Sequence, residues 1–422
     1  IAQCLVGSEM CIRDRCKLIN QKMNKGKTVF SQVMDMIPRR EFDNIVSKYN
    51  GNRYAKQLSC HDQFLIMCMA QYADKNSLRD IEASLIALDS AHKLYACGIR
   101  HVAAKSTLAD ANEKRSWHIY EELGQVLIKK ARALYITDPF RLDIDNMVYA
   151  FDSSTISLCL KLCPWAKYKS DIGGVKMHTQ LDLRGNIPVF VRLTEASVHD
   201  VNVLDGINVE MGAIYLIDKG YVDFKRLYRD FQAKDAFFVT RIKDNTKYEV
   251  IEAMPVEKYT GVISDEKIRL TGVKSKKDYP CDLRLVTYED FTDGTVYRFL
   301  TDIFSFEALT IAELYRERWQ VELFFKWIKQ HLHIKSFYGT SQNAVYTQIW
   351  IAVCAFLLLA LAKKKNFIEQ SLYLMSQIVS TMMFEKINLH SLFERAEKLV
   401  GPSDQSVIET SLFDNPQFFT GH

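Results

Sequence analysis

The stretch 311–335, IAELYRERWQVELFFKWIKQHLHIK, constrains this chain more than any other. Wound as an α-helix at about 100° per residue, it places Tyr315, Arg318, Glu322 and Lys329 at roughly 0°, −60°, −20° and −40°. These four share one narrow stripe. Leu314, Val321, Phe325, Ile328 and Leu332 form a second, apolar stripe beside it, between roughly −80° and −140°. Trp319, Leu323, Phe324 and Trp327 cover the rest of the circumference. The pattern predicts a largely buried helix, and burying charge is costly unless the charge is paired or bound. One reading is a solvated polar face with ordinary i,i+4 pairs such as Arg318 with Glu322. The other is a carboxylate aimed at a metal, with cations and a phenol aimed at phosphates.

Length and composition narrow the class. A chain of 422 residues has room for two or three domains, and 48% hydrophobic with 25% charged residues is usual for a soluble globular protein. The net charge of +4 is mildly basic, so any nucleic-acid surface must be local. The ten cysteines form no CxxC pair, which argues against a zinc knuckle and for a reducing compartment. The longest apolar run, IWIAVCAFLLLALA at 349–362, is shorter than the roughly 20 residues a bilayer crossing needs. It ends in Lys363, Lys364 and Lys365, as suits a buried core helix.

Along the chain, residues 1–22 look foreign to the rest. CLVGSEMCIRDR has no helical or strand period, resembles a translated adaptor read-through, and is expected to be a non-native leader before Met23. Residues 23–145 read as an all-α N-terminal domain, with capping chemistry at Ser77 and Thr107. The pair of helices starting there is a candidate helix-turn-helix. Residues 23–60 carry seven Lys or Arg against three acids, which suits phosphate contacts. From Asn146 the character changes to short β-branched runs: NMVYAFDSSTISL, KMHTQLDL, IPVFVRLTE, AIYLID and AFFVTRIK. A short helix at 200–207 and another at 224–234 interleave with them, giving a mixed α/β pattern over 146–365. Residues 244–296 alternate as a β-rich insertion with a basic strip, and 366–422 read as a helical tail.

The spacing Tyr-x2-Arg-x3-Glu-x6-Lys resembles the YREK signature of DDE transposases from bacterial insertion sequences. The wording GKTVFSQVMDMIP, SLRDIEASL and STLADANEKR is similar to an N-terminal domain attached to some of them. The resemblance implies a ribonuclease H-like catalytic domain and two aspartates upstream of Glu322. Asp152, in AFDSST, and Asp218, ending LIDKGY, are the candidates. Three gathered acids repel one another unless a cation joins them. Hard oxygen donors favour Mg²⁺ or Mn²⁺, and two such ions about 4 Å apart support in-line displacement at phosphorus.

The resemblance therefore implies Asp152, Asp218 and Glu322 as a metal-binding catalytic triad. It further implies Tyr315, Arg318 and Lys329 as contacts to the DNA strand, with Arg318 suited to bidentate contact. Lys176 and His178 in GGVKMHTQLD, and His199 and Asp200 in SVHD, are candidates for DNA or supporting contacts. The expected activity is cleavage of transposon ends at their terminal inverted repeats and their joining to target DNA, by a homodimer in a bacterial cytoplasm, at the nucleoid. The rivals are a metal-dependent nuclease without strand transfer and an inactive, domesticated DNA-binding protein.

Overall fold

A computed structural model describes residues 26–167, 173–292, 294–331 and 337–399. The expected leader at 1–22, the end of the helical tail and positions 332–335 of the YREK stretch lie outside them. The chain forms two compact units. One comprises residues 132–329 with 340–342; the other comprises the chain up to 131, 330–339 and the chain from 343 onward.

The first unit is built on one nine-stranded sheet: β1 (Val148–Leu158), β2 (Gly173–Asp182), β3 (Ile187–Glu195), β4 (Ile214–Ile217), β5 (Phe237–Arg241), β6 (Tyr248–Ala253), β7 (Val262–Leu270), β8 (Leu283–Glu289) and β9 (Val296–Thr301). Its order is β3-β2-β1-β4-β5-β9-β8-β7-β6. β1, β2 and β3 form an antiparallel meander, while β4 and β5 run parallel to β1. This is the ribonuclease H-like mixed sheet. The β-rich insertion does not stand apart from it. β9 pairs antiparallel with β5, and β8, β7 and β6 extend the same sheet from there.

The meander turns at Asn186, whose φ is +53°, and Gly185 is required beside it. A Cβ at Gly185 would meet the Tyr135 ring at 2.4 Å. Strand period then sorts the side chains. Tyr149, Phe151, Tyr215 and Ile217 enter one apolar core with Leu204, Leu227, Phe231 and Phe238. Asp152 is the next residue of β1 after Phe151 and projects to the opposite face. The helix expected over 224–234 is one irregular run of α, π and 3-10 turns, and the helix expected at 200–207 is a 3-10 turn, Asp200–Gly206.

The YREK stretch is two helices rather than one. Residues Ala308–Glu317 form the first and Trp319–His331 the second, with Arg318 at the joint. The joint is closed by tight i→i−3 bonds, from Arg318 N–H to Tyr315 O at 3.1 Å and from Val321 N–H to Arg318 O at 3.2 Å.

The helical unit contains α1 (Val29–Met34), α2 (Arg39–Lys48), α3 (Cys60–Tyr72), α4 (Leu78–Ser90) and α5 (Lys105–Lys114). Thr28, Ser59 and Ser77 cap their helices as their side chains predict, and Ser59 with Asp62 forms a full capping box. Thr107 is not a cap: α5 starts earlier, at Lys105, behind Ala104. Residues 91–104 separate α4 from α5, far more than the three- or four-residue turn of a helix-turn-helix.

The apolar helix Gln342–Lys365 belongs to this unit, rather than to the sheet unit with which its position in sequence grouped it. It is long and apolar enough to cross a membrane by length and composition alone, yet its apolar window is wholly buried. Tyr72 donates to Ala355 O at 2.7 Å, and Trp350 packs where a Cβ on Gly124 would touch it at 3.0 Å. The run is thus the core of the helical unit.

Candidate functional site

Register sets the first two acids side by side. β1 and β4 are parallel, with Phe151 opposite Ile217, so the next residues, Asp152 and Asp218, emerge as neighbours. Asp218 ends its strand and caps a 3-10 turn, accepting from the Gly220 N–H at 3.1 Å. The next parallel strand, β5, ends in Arg241, which donates to Asp218 Oδ1 at 3.1 Å.

The third acid arrives through Arg318. Its guanidinium donates to Asp152 Oδ2 at 2.8 Å and to Glu322 Oε1 at 2.6 Å. One buried cation therefore joins a strand carboxylate to a helix carboxylate 170 positions apart in sequence. Tyr315 lies under the same guanidinium, 5.5 Å from ring centroid to Arg318 Cζ, and its ring is 4.9 Å from that of Phe299, centroid to centroid.

The electrostatics follow from this crowding. Burial pushes Asp152 up to about 6, against the pull of Arg318 and the Ser153 N–H, and Asp218 and Glu322 add to the rise. Burial also acts to raise Asp218, but the Gly220 N–H, Arg318 and Arg241 outweigh it and hold that carboxyl below its ordinary range. Burial works against the charge on Arg318, while Tyr315 and the acids hold it firmly protonated. The site is under-satisfied all the same. Arg318 Nε and Arg241 Nε are buried with no hydrogen-bond partner among the described residues.

Residues 144–358 match the transposase DDE domain family, and residues 25–100 match a domain of unknown function, DUF4372. The chain belongs to the DDE transposase family. It is 35% identical over 289 residues to a chain named as a transposase, y4zB, of Sinorhizobium fredii, covering 68% of this chain and 79% of the relative. It is 28% identical over 270 residues to a chain named as the transposase of insertion sequence element IS5377 from Geobacillus stearothermophilus, covering 60% and 66%. A solved structure, the piggyBac transposase synaptic complex with hairpin DNA, overlaps 92% of this chain and 84% of its own, at a TM-score of 0.40 and 11% identity.

This protein is thus a DNA transposase of the insertion-sequence kind, and its family implies divalent-metal dependence. Among the described residues, no three acid, His or Cys side chains are drawn close enough to hold a metal as they stand. The donor set nevertheless fits a hard divalent cation: three carboxylates, two of them adjacent in register. Arg318 already fills a cation's place between Asp152 and Glu322.

The other expected residues divide. Arg318 meets carboxylates rather than open solvent. Tyr315 is 8% exposed and lies against both Phe299 and Arg318. Lys329 is half-buried on the second YREK helix. Lys176 and His178 are 8% and 0% exposed and turn inward toward Asp200. Arg241 and Ser153 were missed by sequence reasoning. The available signal for Arg241 was its position at the end of a strand parallel to that of Asp218.

Proposed function

We propose that Asp152, Asp218 and Glu322 are the catalytic triad, that they hold two Mg²⁺ or Mn²⁺ ions, and that the site cleaves transposon ends and joins them to target DNA. The observation that carries this reading is the Arg318 guanidinium bridging Asp152 and Glu322 at the strand end where Asp218 also emerges. Two acids that already share a buried cation, with a third beside them in register, are arranged to receive another.

Bound ions would activate the attacking hydroxyl and stabilise the leaving oxygen at phosphorus. The residues act around that chemistry. Asp218, held ionised by Gly220, Arg318 and Arg241, is the permanently charged anchor. Asp152, whose oxygens accept from the Ser153 N–H and from Arg318, would be the second carboxylate to hold the cations. With cations bound to the acids, Arg318 would be free to present two parallel N–H donors to a phosphate of the DNA strand, the geometry for which guanidinium is suited. Lys329 adds a point charge on the helix that follows Arg318, and Tyr315 supports the guanidinium of Arg318 from below. The helical unit binds the terminal inverted repeats, and two copies pair two ends in the cytoplasm at the nucleoid.

Paired-end DNA carrying the element's own inverted repeats tests this. Incubation with Mg²⁺ should give both nicked ends and joined products. Nicking without joining would instead favour a metal-dependent nuclease.

A further inference from the structure

Beside Asp152 lies a cluster to which the mechanism above gives no part. Asp200 opens the 3-10 turn after β3. Its Oδ1 accepts from Ser153 Oγ at 2.9 Å and lies 3.0 Å from Lys176 Nζ and 3.7 Å from His178 Nδ1. Ser153 is held from the other side as well, because its backbone N–H donates to Asp152 Oδ1 at 2.7 Å. The continuous route is thus Lys176 to Asp200 to Ser153 to Asp152. β1–β2 pairing builds it, with Ser153 opposite His178 and Thr155 opposite Lys176.

The charges and bonds in this route are closely matched. Lys176 is almost fully buried, and Asp200 is its carboxylate partner; its remaining bond goes to Val198 O at 3.2 Å. His178 is fully buried with Nε2 3.0 Å from Thr194 Oγ1. Ser153 takes one oxygen of Asp152 and Arg318 takes the other. The Ser153 bond therefore fixes the rotation of the carboxylate, while the Oδ2 edge is the one that opens when Arg318 leaves.

We infer that Asp200 is a positioning residue for the metal site. It clamps Ser153, which sets the direction of Asp152, and it cancels the Lys176 charge that would otherwise stand close to an incoming cation. This rests on the proposed role of Asp152 as a metal ligand. Groups that orient a metal ligand typically change metal affinity by about 10- to 100-fold when removed.

The test is calorimetric titration of the full chain with Mn²⁺ alone, beside thermal unfolding. Ser153→Ala keeps the Lys176–Asp200 pair and should weaken Mn²⁺ binding about tenfold with an unchanged unfolding midpoint. Asp200→Asn should weaken it about 10- to 100-fold, and adding Lys176→Met should recover part of that loss, since the uncancelled charge goes with it. If Asp200→Asn does not fold, Ser153→Ala decides alone. Asp152→Asn separates this inference from the reading beneath it. Wild-type Mn²⁺ affinity in Ser153→Ala and Asp200→Asn, with loss in Asp152→Asn, overturns the positioning role only. Wild-type affinity in Asp152→Asn as well overturns the metal site, and the inference with it.

Discussion

Two arginines of the sheet unit hold buried acids in opposite ways. Arg284 spends itself on one partner: Nε and Nη2 meet the two oxygens of Asp265 at 2.8 and 2.7 Å, and Nη1 donates to Ile303 O and Phe306 O. Both side chains are 4% exposed, and the pair ties β7 to β8 and to the segment after β9. Arg318 is instead divided between Asp152 and Glu322, with its Nε unmatched. A saturated pair of this kind is structural, because nothing remains on it for a ligand to satisfy. A divided, unsaturated one retains bonding capacity at an interior position, and such groups in a native protein call for an explanation. Under the proposed metal site, the explanation is that its partners arrive later. Asp302 marks a third case. It accepts from the Phe238 N–H at 3.0 Å, it has no cation partner among the described residues, and burial pushes it up to about 7.

Removing an acid from each constellation contrasts them most sharply. Asp152→Asn or Asp218→Asn should lower Mg²⁺-dependent cleavage of end DNA by a factor of about 10³ or more, with end binding in a gel-shift assay retained. Wild-type-like cutting by either variant removes that residue from the site. Asp265→Ala should do the reverse. It leaves Arg284 buried and unpaired at a cost of roughly 3–5 kcal/mol, a fall in Tm of the order of 10 °C, while cleavage measured well below that Tm stays near wild type.

Smaller effects refine the contrast. Arg318→Gln frees Asp152 and Glu322 of their internal cation while removing a phosphate contact. Mn²⁺ affinity should rise and end-DNA affinity fall, each by about tenfold, or about 1.4 kcal/mol. A fall in both would show that Arg318 organises the acids rather than competing for them. Lys329→Ala should weaken end binding and reduce its log–log salt slope by about 1. An unchanged slope takes Lys329 off the DNA.

The least effect belongs to Asp302. A carboxyl whose folded value is raised contributes stability that is complete below its unfolded value, near 4, and is lost as pH rises towards about 7. Asp302→Asn should therefore raise Tm relative to wild type at pH 8 by a few degrees, about 1 kcal/mol or more, and by nearly nothing at pH 4. An equal gain at both values would assign the effect to packing.

Much of this was legible in the residues. β-branched runs separated by Gly and Asn announced β1 to β5, and Asp152 and Asp218 each stood at the edge of an apolar run. The YREK spacing pointed to the third acid. Other features resisted reading. The burial of Lys176 and His178 could not be read, because a strand's period reports which side chains share a face but not whether that face is covered. The apolar run at 349–362 announced burial without naming the unit that buries it. Arg241 had no motif around it.

Chemistry and local period were determined by the sequence itself: which residues can bind cations or phosphates, and where strand and helix patterns begin. The tertiary structure decided who meets whom. The parallel register of β1 and β4 puts Asp152 next to Asp218, the break at Arg318 turns a cation inward, and Asp200 reaches Ser153 across a turn. Such contacts depend on distances through space between elements far apart along the chain, and no periodicity within a single element encodes them.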